Sequence, residues 1–539
     1  MASSPAHLGP PYNTRSNYLG RYSPVRRPMR SRWTLMVLGI FSLLLYFIMA
    51  QLSRQFNWGE GYADRPILTY LAVYFGLFLL YAIACAVILK GGEDRLTFWA
   101  VIGLGLLFRA VILPAHQIQE DDIYRYLWDG KVFAHGINPY EYAPAEVNDY
   151  LSFKVKDPEN LMSRYDARQR QELALLNQLK WESGPGLKTL ERVNHPEVPT
   201  IYPPMAQFVF RFAHFIHPDS IITMRLVFLG FDLIALVFIV RILSALGGNR
   251  NFSLIYFWSP LLIKETYNST HLDIIGVAFL CAAIYCLIAN RQIFAMIFLA
   301  FSFLGKFYSG VLFPLFLHHA VRQGRKRGKS APAALLGQSL LFGGTVLLFY
   351  LPFIRSGSKT FEGLKTFSTY WQSNDSLFSL LVYFFGNVLR LNSLDITVFS
   401  NGLPTFLSKL IAALVVVGVM VYLLVRRAPP TDSTRGEVQN IFLLMCLVFL
   451  LSPVQNPWYL CWVLPFLCFF PWWSWILLTG LEGLYYLDFY FDYQEIQNYS
   501  VWIPWLEYTP FYILLFLELN RKGILRRNSV RSPAGGTRV

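Results

Sequence analysis

The chain has 539 residues, of which 54% are hydrophobic, 17% are aromatic and only 15% are charged. A soluble domain carries roughly 25% charged residues, so this composition excludes an ordinary soluble protein. Apolar runs of about 17 to 25 residues, each long enough to cross the hydrocarbon core as a helix, recur almost to the C-terminus. The sequence therefore predicts an all-α polytopic membrane protein, a bundle of about 14 transmembrane helices.

The formal net charge of +14 could indicate a nucleic-acid partner, but the basic residues fall in short segments beside apolar runs. This distribution follows the positive-inside rule, and no nucleic-acid partner is predicted. Residues 1–32 hold six Arg and no acidic residue, and the tail at 521–539 is also basic. Both tails are therefore predicted to be cytoplasmic, which requires an even number of crossings.

The basic tail at 1–32 precedes three predicted transmembrane helices in 33–113. The largest polar stretch, 114–203, is predicted to be a large outer, extracytoplasmic loop that carries the chemistry. Within it, 151–190 mixes charged residues with Leu, Met and Trp at intervals of three and four. This pattern indicates an amphipathic helix on the membrane or over a cavity. The alternative is a solvated excursion that only covers the membrane face.

The rest of the bundle is predicted to occupy 204–520, before the basic tail at 521–539. Short loops interrupt this part of the sequence where polar residues separate apolar runs. Under the predicted topology they lie on the same outer side as the large loop. These short outer loops are 264–272, 355–376 and 455–458.

The stretch HQIQEDDIYRYLWDGKVFAHGINPYEY places Asp121 and Asp122 where a membrane-length segment ends. A bilayer excludes charge, so acids beside Arg125, Tyr126 and Trp128 at a membrane exit indicate chemistry. A carboxylate can accept a proton from an attacking hydroxyl, Arg can hold a phosphate, and aromatic rings can stack on a sugar or an isoprenoid. The alternative is that the acids cap a loop helix and that the Gly residues and the Asn-Pro pair form turns.

The segment KETYNSTHLD lies between two apolar spans and contains Lys264, Glu265, His271 and Asp273. The two-residue spacing of His271 and Asp273 does not suit two ligands on one helical face, so no metal site is predicted. A grip on a phosphate by Lys264, helped by His271, is favoured over an ordinary short loop. Lys306, isolated among apolar residues, either snorkels to the interface or pairs with an anion such as a lipid phosphate.

Two later segments place aromatic and polar side chains together at a predicted outer boundary. TFSTYWQSNDS contains Trp371 and Asn374, and SPVQNPWYLCW contains Trp458. Aromatic belts form at this depth in any membrane protein, which is the alternative interpretation. Arg109 and Asp232 are charges within predicted spans, and a structural ion pair is predicted for them.

In their order along the chain, these segments resemble the successive signatures of the GT-C superfamily of membrane glycosyltransferases. The resemblance is to the bacterial mannosyltransferase-like branch that uses polyprenyl-phosphate sugars. It lies between residues 96 and 464 and rests on DDIYRYLWDGKVFAHGINPY, IYPPMAQ, SPLLIKETYNSTHLD, GLKTFSTYWQSNDSLF and SPVQNPWYLCWVLP. It implies a GT-C type helical bundle with an outward cavity. The implied reaction transfers a hexose, with mannose preferred, from a polyprenyl-phosphate donor to a lipid or glycan acceptor, with inversion.

The same resemblance implies that Asp122 is the general base, with Asp121 as the close alternative. Donor-phosphate contacts are implied for Arg125, Lys264, His271 and Lys306. Sugar and acceptor contacts are implied for Tyr126, Trp128, Glu265, Asp273, Trp371, Asn374 and Trp458. No metal or other cofactor is expected, and the partners are the lipid-linked donor, the acceptor and membrane lipids. The chain departs from the family's pattern in a long insertion between Asn148 and His195, which leaves the acceptor open.

These features predict a multi-pass protein of the bacterial inner membrane, with its site facing outward. A transporter or flippase of a lipid-linked saccharide is one alternative, because it also needs many spans and a few buried charges. Transporters commonly show repeated halves, and this sequence shows no such repeat. A polymerase or ligase that uses diphosphate-linked glycans is a second alternative, for which more Arg is expected in the outer loops.

Overall fold

The computed structural model describes residues 28–59, 61–181, 184–328, 330–393, 401–426, 433–497 and 501–522. These residues form α-helices joined by turns and short 3-10 or π-helical segments, with no β-strand among them. An isolated bridge between Ser373 and Val454 is the only β-type contact within the described ranges. The predicted all-α class is therefore confirmed. The basic tails predicted at 1–32 and 521–539 lie almost entirely outside the described residues.

Three long apolar helices begin the described part of the chain and correspond to the spans predicted in 33–113. The first helix packs against both of the others. At the start of the third, the Asp94 carboxylate accepts a hydrogen bond from the Thr97 amide at 2.9 Å. This contact satisfies a donor that the first helical turn leaves unpaired. The helices are α1 (Pro28–Leu52), α2 (Ile67–Lys90) and α3 (Arg95–Ile112).

The polar stretch after α3 is largely helical. Its helices are α4 (Asp122–Ala134), α5 (Pro144–Lys156), α6 (Pro158–Arg164), α7 (Ala167–Trp181), α8 (Gly184–Glu191) and α9 (Pro204–Ile216). Three of them begin at a proline, where the missing N–H leaves no hydrogen bond unmade. Leu173, Leu176 and Leu179 of α7 are buried, and their spacing matches one face of an amphipathic helix. The amphipathic stretch predicted at 151–190 is thus divided among α5 to α8.

The remaining helices complete the bundle, and α13 packs between α10 and α14. A Cβ added to Gly276 of α13 would meet the Trp462 ring at 2.2 Å, so the absent side chain permits this close approach. These helices are α10 (Ile221–Ala245), α11 (Leu254–Phe257), α12 (Pro260–Ile263), α13 (Asp273–Ile288), α14 (Gln292–Gly305), α15 (Phe313–Lys326), α16 (Ala331–Tyr350), α17 (Glu362–Tyr370), α18 (Leu377–Tyr383), α19 (Gly402–Val425), α20 (Ser433–Leu451), α21 (Leu464–Leu467), α22 (Trp473–Leu481), α23 (Tyr486–Tyr493) and α24 (Ile503–Arg521).

Seven helical segments of the described chain are long and apolar enough to cross a membrane, as expected of an integral membrane protein. Some other apolar runs are divided at a proline, which cannot donate a backbone hydrogen bond. Pro260 begins a new helix within the apolar run at 252–263, and Pro465 begins another within the run at 459–470. The total of fourteen crossings therefore stays a prediction. The seven are Ser31–Gln55, Tyr62–Lys90, Arg95–Ile112, Ile221–Ala245, Ala331–Tyr370, Gly402–Val425 and Thr434–Leu451.

A buried ion pair joins α3 to α10, as predicted from the sequence. Nε of Arg109 lies 2.6 Å from Oδ2 of Asp232, and both side chains are at most 1% exposed. The carboxylate also accepts hydrogen bonds from the hydroxyls of Tyr256 and Tyr267, at 2.7 and 2.5 Å. The Arg109 guanidinium donates further to the Phe257 carbonyl at 2.7 Å. The ion pair and these additional hydrogen bonds compensate for the burial of both charges.

Replacing Asp232 with Ala is expected to lower the free energy of unfolding by about 3–5 kcal/mol, because the Arg109 charge would stay buried without its partner. Unfolding of the detergent-purified protein measures this change. The control Asp149→Ala removes an exposed carboxylate and should change stability by at most about 0.5 kcal/mol. Equal stability of the two variants would contradict a structural role for the pair.

Candidate functional site

A cavity of about 1030 Å³ lies beside the N-terminus of α4. This volume is at the upper end of the range of roughly 300–1,000 Å³ that is usual for small-molecule sites. Segments distant in sequence form its wall, among them the loop before α4, the chain leading into α9, and the turn before α21. Its charged lining residues are Arg65, Glu120, Asp121, Asp122, Arg125, Arg192, Lys306 and Lys409.

Asp121 and Asp122 stand at the start of α4, where the helix dipole favours negative charge. Asp121 is the N-cap residue, but its side chain makes no capping hydrogen bond. Instead, the side-chain amide of Asn194 donates to Oδ1 of Asp121 at 2.9 Å and to Oδ1 of Asp122 at 2.8 Å. Helix capping therefore does not account for Asp121. One amide holds both carboxylates at the cavity wall.

Asp122 has further partners at its second oxygen. Tyr202 donates to Oδ2 at 3.1 Å and Tyr126 donates at 3.4 Å, while Nδ1 of His271 lies 3.6 Å away. Burial acts to raise the pKa of Asp122. The contact and charge of His271, together with the hydrogen bonds from Asn194 and Tyr202, outweigh burial and hold this pKa below its ordinary value.

The neighbouring Asp121 responds in the opposite direction. Burial, and then the negative charge of Asp122, raise the pKa of Asp121 to about 7, although the Asn194 hydrogen bond and the charge of Arg65 oppose them. Two adjacent carboxyl groups thus differ in protonation near neutral pH. Such a separation is typical of acid–base sites, where each carboxyl has a different task.

His271 lies behind Asp122, and its side chain is only 1% exposed. Its ring stacks on Trp458 with a centroid distance of 3.8 Å. Nε2 lies 3.5 Å from Oε2 of Glu265 and 3.9 Å from Oε2 of Glu120. The imidazole therefore connects the carboxylate at the cavity wall with a buried polar cluster.

Lys264 and Glu265 belong to that buried cluster and lie in one π-helical turn, Lys264–Asn268. The Lys264 ammonium donates to Oγ of Ser269 at 2.7 Å and to the Tyr486 hydroxyl. The same hydroxyl donates to Oε1 of Glu265 at 2.9 Å. Lys264, Glu265 and His271 are buried, and the cavity-lining residues do not include them. Their predicted contacts with phosphate and sugar would therefore require access that the cavity wall does not provide.

Lys306 lines the cavity, and a protein carboxylate already accompanies it. Its Nζ atom lies 2.7 Å from each carboxylate oxygen of Asp273, and Nε1 of Trp462 donates to the same carboxylate at 2.7 Å. The ammonium also lies 4.0 Å from the centroid of the Tyr459 ring, within cation–π distance. The sequence left two alternatives for Lys306, snorkelling to the interface or pairing with an anion. The structure shows the second, and the anion is Asp273.

Arg125 also lines the cavity, but backbone oxygens occupy its guanidinium. It donates to the carbonyls of Asn194 at 3.0 Å, His195 at 2.9 Å and Val198 at 3.1 Å. These bonds join α4 to the chain that leads into α9. Arg125 thereby fixes the backbone that carries the Asn194 amide, and its predicted phosphate contact stays untested.

The predicted sugar-binding aromatic residues occupy two different layers. Trp371 and Trp458 line the cavity, and Trp371 packs edge-on against the His195 ring at 4.7 Å. Tyr126 and Trp128 are 1% and 2% exposed and lie behind the wall. Tyr126 reaches the site only through its hydroxyl, which contacts Asp122 as described above. Trp371 and Trp458 can therefore stack directly on a ligand.

Asn374 lies outside the cavity lining and bridges two buried acids. Its amide donates to Oε2 of Glu507 at 2.8 Å and to Oε2 of Glu482 at 3.4 Å. Its φ of 51° is in the left-handed region, which Asn tolerates better than most residues. Asn374 thus ties the cavity-lining turn at Trp371 and Ser373 to the last helices of the bundle.

Sequence reasoning missed several residues of this wall. Tyr202 lies within IYPPMAQ, a segment already quoted for the resemblance, so a signal for it existed. Asn194 and Arg192 lie at the end of the long insertion, where no motif marks them. Arg192 donates to the Tyr124 hydroxyl at 2.6 Å and lies 5.1 Å from the Trp58 ring. The insertion therefore contributes directly to the cavity.

Within the described ranges, no group of three or more His, Cys, Asp or Glu side chains is arranged to hold a metal ion. The site is instead a cavity with an amide-bridged carboxylate pair, basic side chains and exposed faces of aromatic rings. Comparison of the chain with models of protein families, with curated proteins and with solved structures finds no match.

Proposed function

We propose that this protein is an integral-membrane glycosyltransferase of the GT-C type. It transfers a hexose, with mannose preferred, from a polyprenyl-phosphate donor to a lipid or glycan acceptor. The observation that carries the proposal is the pair Asp121 and Asp122 at the wall of a large cavity, bridged by Asn194. A carboxylate in that position can accept the proton of an acceptor hydroxyl.

The reaction needs one proton acceptor and one route for the leaving phosphate. The acceptor oxygen attacks the anomeric carbon as its O–H proton passes to a carboxylate. The bond from the anomeric carbon to the phosphate oxygen breaks on the opposite face, so the configuration inverts. The electrons of that bond leave with the polyprenyl phosphate, whose negative charge a nearby cation stabilises.

The lining of the cavity supports such a substrate. Trp371, Trp458 and Tyr459 supply aromatic surface of the kind on which the apolar face of a sugar packs. Of the four residues predicted for the donor phosphate, Arg125 and Lys306 line the cavity. The Arg125 guanidinium bonds to three carbonyls, whereas the Lys306 ammonium, which has three N–H donors, bonds to the two carboxylate oxygens of Asp273. Lys306 is therefore the proposed phosphate contact of the two.

The proposed setting is the bacterial inner membrane, with fourteen crossings, both termini in the cytoplasm and the cavity on the outer side. The basic segments beside the apolar runs support this orientation. A polymerase or ligase that uses diphosphate-linked glycans is the second candidate, because Arg65, Arg125 and Arg192 all line the cavity. Carbonyl and side-chain oxygens hold Arg65 and Arg125, which favours the monophosphate donor.

Replacing Asp121 or Asp122 with Asn is expected to reduce sugar transfer about 10²- to 10⁴-fold, because the site loses a general base or the anion beside it. Transfer from radiolabelled polyprenyl-phosphate-mannose is measured in membranes that contain the full chain. The matched control Asp149→Asn changes an exposed carboxylate on α5 and should retain normal transfer. Near-normal turnover of both site variants, at normal protein levels, would refute a role for the pair.

The polyprenyl-diphosphate-linked sugar is the discriminating second substrate in the same membranes. Turnover of this donor with none of the monophosphate donor would favour the polymerase or ligase candidate. Mass spectrometry of lipids and glycans from a deletion strain would then identify the missing sugar and its acceptor.

Replacing Arg125 with Lys is expected to lower turnover about 10- to 100-fold. The compact ammonium cannot reproduce the spacing of the two guanidinium nitrogens that bond the carbonyls, and each charged hydrogen bond lost contributes about 1.5–3 kcal/mol. The physical cause is movement of the backbone that carries Asn194. We expect kcat to fall while the KM for the donor changes little. Arg168→Lys, a change at a half-exposed salt bridge on α7, is the matched control. A rise in donor KM alone would show that Arg125 contacts the donor instead.

A further inference from the structure

The two carboxylates differ in every partner except the amide they share. Asp122 has Tyr126, Tyr202 and His271 around Oδ2, at 3.4, 3.1 and 3.6 Å. Asp121 accepts the other hydrogen bond of the Asn194 amide and lines the cavity. Partners that crowd the Oδ2 oxygen of Asp122 make it a poor proton acceptor, because each hydrogen bond to an anion stabilises the charged form.

His271 is placed to maintain that charge. Both of its ring nitrogens face carboxylates, since Nδ1 lies beside Asp122 and Nε2 lies beside Glu265 and Glu120. The carboxylate oxygens lie 3.5 to 3.9 Å from the ring nitrogens, within reach of electrostatic attraction but beyond an ordinary hydrogen bond. Stacking on Trp458 at 3.8 Å fixes the plane of the ring. The imidazole is therefore held in one orientation between the site and the buried acids.

On the basis of the proposed transfer reaction, we infer that Asp121 is the proton acceptor and that His271 is a positioning residue that keeps Asp122 as a permanent anion. In the transfer step, the O–H bond of the acceptor breaks and its proton moves to the Asp121 carboxylate. The acceptor oxygen bonds to the anomeric carbon as the carbon–phosphate oxygen bond breaks. The charge of Asp122 stays constant and stabilises the positive charge that develops on the sugar.

The protonation of the pair agrees with this division. The pKa of Asp121 is raised to about 7, first by burial and then by Asp122, and a general base acts best with a pKa near the working pH. The pKa of Asp122 lies below its ordinary value, so it stays ionised throughout that range. Glu120, Arg65, His271 and Lys306 are the other charged groups that face the pair.

Carbodiimide labelling tests the inference without requiring sugar transfer, because the reagent reacts with protonated carboxyl groups in apolar surroundings. The full chain in detergent is treated with dicyclohexylcarbodiimide from mildly acidic to mildly alkaline pH, and labelled peptides are quantified by mass spectrometry. Asp121 should be labelled with a midpoint at pH about 7, and Asp122 should stay unlabelled. Label on Asp122, or none on Asp121 at mildly acidic pH, would overturn the inference.

Two variants isolate the role of His271 and the coupling of the acids. His271→Gln removes the partner of Asp122 at Oδ2, so Asp122 should become labelled at mildly acidic pH. If the variant elutes from size-exclusion chromatography as the wild type does and Asp122 stays unlabelled, His271 has no such role. Asp122→Asn removes a neighbouring negative charge, so the labelling midpoint of Asp121 should fall by about one pH unit or more. An unchanged midpoint would contradict the coupling.

The transfer assay provides a separate readout. Because Asp121 must be ionised to accept a proton, kcat/KM should fall as the pH drops through about 7. In Asp122→Asn, residual activity should show this fall at lower pH. The predicted labelling in a protein without any transfer activity would contradict the proposed function alone.

Discussion

Ionised side chains cannot be left without partners inside an apolar helical bundle, and this constraint organises the whole molecule. Leaving one partner of a buried ion pair alone costs about 3–5 kcal/mol. Arg225 illustrates the outcome in α10. Its guanidinium donates to the carbonyls of Leu113, Ala115 and Asn268 and to Oγ1 of Thr270, at 2.6 to 2.9 Å. A single buried cation thus joins the end of α3 to the turn that precedes α13.

The cavity wall follows from the same constraint. Arg225 holds the turn before His271, and Arg125 holds the backbone around Asn194. As a result, Asn194 donates to Oδ1 of Asp122 and His271 lies beside Oδ2. Arg125 and Arg225 bond to backbone oxygens and so have a structural role, although an arginine at such a position would by itself suggest ligand binding. The acids at the cavity wall are thereby placed by cations whose hydrogen bonds go mainly to backbone carbonyls.

The sequence predicted those features that depend on local composition. An apolar run interrupted by a charge led to the pairing of Arg109 with Asp232, and EDD after a membrane-length segment indicated the carboxylates that line the cavity. Pairings between distant segments could not be predicted, because nothing local to Lys264 shows that Tyr486 is its neighbour, and nothing local to His271 shows that Asp122 is. The helix starts at Pro260 and Pro465 could not be read from hydropathy alone, since both prolines lie inside apolar runs and hydropathy does not detect a missing backbone N–H donor.

The chain that leads into α9 has a consequence for which parts of the fold can vary in sequence. Arg125 bonds to the carbonyls of Asn194 and His195. Helix α5 is tied to the same segment, because the Ala145 N–H donates to the Pro196 carbonyl at 2.8 Å. The exposed surfaces of α6 and α7 can therefore vary while the amide that bridges the acids keeps its position. Substitutions on those exposed surfaces would leave the amide-bridged carboxylates in place, so the fold separates a variable outer surface from a fixed cavity wall.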